Sequence, residues 1–149
     1  MAVTASGLYG LTLEKQLIDT LGVSIESETL IAGLMVTDSE APNFNTHDFR
    51  NDITAEVTGT GYTAGGVVLT STEVTISGGV LTYDAADSAW SSSTIANAMA
   101  EVIYVGRGGA SSADELLALS DFVSAASSSG GTFTIQRSAS GIWTIDYTP

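Results

Sequence analysis

Cysteine is missing from this chain of 149 residues, so neither a disulfide framework nor a thiolate metal site is available to it. Proline occurs only twice, as Pro42 and Pro149. Bases are scarce as well. Lys15, Arg50, Arg107 and Arg137 stand against 17 acids, which gives a formal net charge of −13 and a pI near 4.1. A surface of that sign repels phosphate backbones and anionic lipid, so contact with nucleic acid or a membrane is not expected, whereas basic protein partners are. No apolar stretch approaches the roughly 18 residues of a membrane helix, and the N-terminus has no basic segment ahead of an apolar run, so an export signal is not expected either.

What is present points to β structure. Only 14% of residues are charged while 44% are hydrophobic, so Ser, Thr, Gly and Asn must supply much of the polar surface. Abundant Thr and Val in short segments punctuated by glycine suit strands better than a helical bundle. The length is that of one domain, enough to bury roughly two thirds of the surface an unfolded chain exposes.

Along the chain, residues 1–7 are small and polar and predict a flexible N-terminal arm. Leu8, Leu11, Leu17, Ile18 and Leu21 approximate helical spacing, with Gly22 just past the end, and predict a short amphipathic helix. Leu30, Ile31, Leu34, Met35 and Val36 form a dense run that suits a strand buried on both faces. Thr46 to Ile53 predicts one helical turn, with Thr46 as its cap and Asp48 in the first turn. Val74 and Ile76 alternate with polar neighbours, Gly78-Gly79 predicts a hairpin, and Val80 to Tyr83 returns. Ser91 to Thr94 reads as a polar loop. Val102 to Val105 reads as a central strand, and Leu116 to Val123 as a further strand in preference to a short helix. Ser124 to Gly131 is small and polar, with Ser127 to Gly131 as its least ordered part, and Phe133 to Tyr147 reads as a hairpin about Ser138-Ala139-Ser140-Gly141. Together these elements predict a mainly β, single-domain antiparallel sandwich over 8–149, jelly-roll-like, with one short N-terminal helix.

Candidate chemistry is thin. His47 lies near Asp48 and Asp52, but no nucleophile signature accompanies it, so a polar loop histidine beside a cap is the simpler reading. The carboxylate pairs Asp38/Glu40, Asp48/Asp52 and Asp84/Asp87 lack the spacing of a calcium loop, and the glycines around Gly59 to Gly66 lack a following Lys. Catalytic, cofactor and metal sites are therefore not expected. Binding then falls to aromatics and the rare cations. Trp143, alternating with Ile145 and Tyr147, suits the core, while Tyr9, Tyr62, Trp90 and Arg107 are the candidate protein-interface residues.

The segments HDFRNDI, EVTGTGYTAGGVVLTSTEVTI, YDAADSAWSSSTI, AEVIYV and GGTFTIQRSASGIWTI resemble a widespread family of small tailed-bacteriophage structural proteins, and the resemblance covers about residues 8 to 147. The chain shares GTGYTAGG at Gly59 to Gly66, Asp84 and Asp87 ahead of Trp90, and the strand Val102 to Tyr104. It departs at Arg137, where an aromatic is common, and in a shorter connector after Gly106. The resemblance carries over no active-site residue. It implies a virion component made in the host bacterial cytoplasm and placed on the outer head surface, a decoration protein whose partner is the major capsid protein. It implies a homo-oligomer too, with a trimer among the options. A tail or neck subunit is the alternative within that class, and a glycan-binding or glycan-hydrolysing virion module is the alternative outside it.

Overall fold

The computed structural model describes residues 3–148. The protein is mainly β, with antiparallel sheets and one α-helix. Strand β1 is Gly7–Leu8, helix α1 is Gly10–Leu17 and β2 is Ile31–Thr37. The short strands β3 (Gly59–Thr60) and β4 (Val67–Val68) follow, then β5 (Glu73–Ser77) and β6 (Val80–Asp84). Two long strands, β7 (Ser88–Val105) and β8 (Leu116–Ile135), precede the last, β9 (Trp143–Asp146). The larger sheet has the order β1-β8-β7-β2-β4, with β3 added to β7, and the smaller sheet has the order β5-β6-β9.

The centre of the larger sheet forms because its sequence is apolar on both faces. In β2 every residue from Ile31 to Val36 is buried, as the continuous run predicts. One face of β2 and β7 gathers Leu34, Val36, Val102 and Tyr104 with Tyr9, under Phe44 and Ile53. The opposite face gathers Ile31, Ile103 and Val105 with Tyr83, under Trp143 and Val74 of the smaller sheet. A third cluster, Met35, Ile95, Trp90 and Phe133, continues the core along the two long strands.

Several expectations are corrected. Residues Met1 and Ala2 of the expected arm lie outside the described residues; of the rest, Val3 is buried, Thr4 to Ser6 are exposed and Gly7 pairs with Leu119. The helix stops at Leu17, short of Leu21. The helical turn expected over Thr46 to Ile53 is confined to Arg50–Asp52 and is capped by Asp52, not Thr46: the Asp52 carboxylate accepts from the backbone N–H groups of Asp48 (2.9 Å) and Phe49 (3.1 Å). That capture holds the Asp52 carboxyl below its ordinary range, first through the Asp48 N–H.

The largest correction concerns the serine-rich segments. Ser91 to Thr94 lies within β7 and Ser124 to Gly131 within β8, and the two strands pair with each other over most of their length. Their alternation is broken by bulges. Burial along β7 is lost for two successive residues at Ser91-Ser92 and again at Ala96-Asn97, where Ser92 and Asn97 adopt φ of 51° and 56°. Phe133 therefore pairs with Trp90, while Trp143 pairs with Tyr83 in the other sheet. Ser138 to Gly141 is a crossover between sheets rather than the tip of a hairpin. The Gly78-Gly79 hairpin stands as expected, with positive φ at both glycines.

One bulge residue is strained. Val123 has φ of 67°, a region hostile to β-branched side chains, yet its side chain is 84% exposed and gains little from packing. Replacing it by Asn, which tolerates this conformation, is expected to stabilise the protein by about 1 kcal/mol. An upward shift of the urea midpoint would register the gain, and no shift would mean that the valine is not strained.

Candidate protein-binding surface

Of the four expected interface residues, two have no surface to offer. The Tyr9 side chain is fully buried, with its ring 5.2 Å from that of Phe44, because β1 delivers it beneath the larger sheet. Trp90 is 4% exposed and packs edge-on to Phe133, because the alternation of β7 turns it inward despite its serine neighbours. Tyr62 is half-buried. Its hydroxyl donates to Glu56 Oε1 (2.8 Å) and accepts from the Met35 N–H (3.1 Å), so it braces the glycine-rich bend. Arg107 is the most exposed of the four, but its guanidinium donates to both oxygens of Glu115 (2.7 and 2.9 Å) and to the Leu21 carbonyl (2.7 Å).

The same is true of every base. Lys15 contacts Asp48 at 2.7 and 2.8 Å, and Arg50 Nε donates to Asp114 at 2.9 Å. Arg137, nearly buried, grips the fully buried Glu101 with two nitrogens and reaches Ser88 Oγ at 3.0 Å. Four of the 17 carboxylates are used in this way, which leaves 13 without a cationic partner. The outward field is thus almost purely anionic, and each of the four side-chain cations is already paired with a carboxylate of its own molecule.

No catalytic constellation gathers around His47. Asp52 is occupied by backbone N–H groups and Asp48 by Lys15. Glu40 is buried where it accepts from the N–H groups of Thr54 and Ala55, both at 2.9 Å. Asp87 accepts from the Arg137 N–H at 2.8 Å. These carboxylates hold loops in place. Among the described residues, no group of three or more His, Asp or Glu side chains is arranged to hold a metal ion.

Burial pushes the phenols of Tyr9, Tyr62, Tyr83 and Tyr104 above their ordinary value of 10.0. A group whose folded pKa is raised contributes stability that is complete below the unfolded value and fades as pH climbs past it. Alkaline unfolding is therefore expected above pH 10.0, with the tyrosinate absorbance of these four rings appearing together with loss of structure. Ionisation of all four in the still-folded protein would contradict their burial.

The surface does hold one open apolar groove, which sequence reading missed. It lies between α1 and the end of the smaller sheet, has a volume of about 320 Å³, and is lined by Leu13, Leu17, Val74, Leu81, Trp143 and Ile145, with Glu26 at its edge. It exists because the inner face of β5-β6-β9 runs past the larger sheet that covers its other end. Leu17 is 79% exposed, and Ile76, opposite Leu81 in register, is 67% exposed. A signal was present in the apolar residues at the end of the helix and in Val74 and Ile76, which strand alternation places on one face. The Glu101–Arg137 pair was missed too, although a lone acid in AEVIYV, a segment too apolar to stay at the surface, pointed to a buried carboxylate.

No protein family, no curated protein and no solved structure matches this chain.

Proposed function

We propose that this protein is a structural component of a tailed-bacteriophage particle, a decoration protein that binds the major capsid protein on the outer head surface. Its sandwich bridges neighbouring capsid subunits, and many weak attachments made in parallel stabilise the shell. The reading draws on the resemblance of the GTGYTAGG and VIY segments. The observation that carries it is the internal pairing of all four bases, which leaves an anionic exterior broken by an apolar groove. Such a surface suits contact with other proteins and is unsuited to DNA or lipid. Tyr9 and Trp90 are core residues and offer no stacking face to a glycan, so the decoration reading is preferred over a glycan-binding or glycan-hydrolysing virion module.

The test is to add the purified protein to heads of the cognate particle that lack it. Binding in many copies per head and a rise in the temperature or osmotic shock needed to rupture the shell are expected. Attachment of a few copies at the tail would favour a neck or tail subunit. Binding to host glycans with none to heads would overturn the proposal.

A further inference from the structure

The groove between α1 and the smaller sheet is too open to be a packing defect and too exposed to be core. Leu17 stands 79% exposed on one wall, and Val74, Leu81, Trp143 and Ile145 form the floor. Contiguous exposed apolar surface of this kind marks a contact site in a protein that is otherwise well packed. Its borders carry one sign of charge. Glu26 lies at the groove, Asp19 lines the cleft that continues from it past Gln16, Val23 and Ser24, and no Lys, Arg or His lines either.

We infer that this groove receives a segment of a partner protein that carries apolar anchor residues next to lysines or arginines. Charge complementarity selects that occupant. A second copy of this chain would bring carboxylates against carboxylates, and it has no free base to offer, since Lys15, Arg50, Arg107 and Arg137 each close an ion pair within their own molecule. The anchors fill the floor beside Trp143, and the basic residues reach Glu26 and Asp19. This inference deepens the protein-binding reading above and rests on it, while assigning the contact to one face.

The test uses the whole protein and three short synthetic peptides, alternating Leu with Lys, Leu with Glu, and Ser with Lys. Trp143 lies in the groove and Trp90 does not, so Trp143 emission in a Trp90→Phe background reports occupancy. Backbone amide shifts of Val74 and Ile145 in the unaltered protein give a second readout. The Leu–Lys peptide is expected to bind, to weaken as salt is added, and to lose about tenfold in affinity with Leu17→Ser, a change at an exposed position that leaves the core intact. Glu26→Gln, whose side-chain oxygen can still accept from the Val74 N–H, is expected to flatten the salt dependence.

Equal binding of the Leu–Glu peptide would overturn the choice of a basic partner. Equal binding of the Ser–Lys peptide, or indifference to Leu17→Ser, would remove the groove from the contact. A change in Trp143 emission with protein concentration alone would assign the groove to a second copy and overturn the inference. If the Leu17→Ser protein still protects heads as well as the unaltered one, the groove inference fails and the decoration role stands. If the peptide binds while heads are ignored, the decoration role fails and the groove stands.

Discussion

Glu101→Gln is expected to lower the free energy of unfolding by about 3–5 kcal/mol, the usual loss when one partner of a buried ion pair is removed. The Glu101 side chain is inaccessible and that of Arg137 is 7% exposed, so the substitution leaves a guanidinium in a low-dielectric site without its counter-charge. Burial alone disfavours the charged Arg137, and the hydrogen bonds it donates to Glu101 offset that effect and hold its pKa above the ordinary value. Gly33 completes the site. A methyl group there would collide with the Glu101 carboxylate, so the glycine in β2 makes room for the acid in β7. The double substitution Glu101→Leu with Arg137→Met is expected to cost clearly less than Glu101→Gln alone, because no charge is then stranded. Urea denaturation of the three proteins decides the matter. A Glu101→Gln variant within about 0.5 kcal/mol of the parent would mean that the pair is solvated and its energetic role small.

Gly66→Ala is expected to cost about 2–5 kcal/mol, from a left-handed backbone combined with a collision. Gly66 has φ of 74°, and a methyl group there would overlap the carbonyl of Gly33 on the neighbouring strand. Ala64→Gly in the same bend, at an exposed position, is the control and is expected to stay within about 1 kcal/mol of the parent. If Gly66→Ala unfolds at the same denaturant concentration as that control, the close approach of β4 to β2 is not needed for stability.

Where a segment's own residues decide its environment, the fold was legible in advance. The run from Ile31 to Val36 is apolar at both phases of a strand, and it is buried on both faces. Gly78-Gly79 supplies two left-handed residues in succession, and a hairpin forms there. The failures share a different cause. Ser93 is fully buried, its hydroxyl bonded to that of Ser128 at 2.8 Å, so a serine-rich stretch with the composition of a loop is held as strand by a partner far along the chain. Bulges at Ser92 and Asn97 shift the alternation twice, and with it the period that should have marked Trp90 as an inward residue. Phe133 and Trp143 look like two arms of one hairpin because they are close in sequence, but Gly141 turns the chain from one sheet to the other. Local pattern carries no record of that choice. The groove was hidden for a related reason: its walls are ordinary core-forming residues that happen to extend beyond what covers them.

The length of the β7–β8 pair sets an order on how the chain reaches its native state. Arg107 bonds to Asp114 and Glu115 across a short connector, so the rungs nearest it close a small loop at little entropic cost. Each later rung extends the ladder outward, and the contact of Arg137 with Asp87, fifty residues apart in sequence, has to wait until the ladder has brought the ends together. The Glu101–Arg137 lock and the arrival of β9 beside β6 are therefore expected in the last part of folding. Substitutions there should speed unfolding while leaving the refolding rate almost untouched, whereas changes near Arg107 should slow refolding itself.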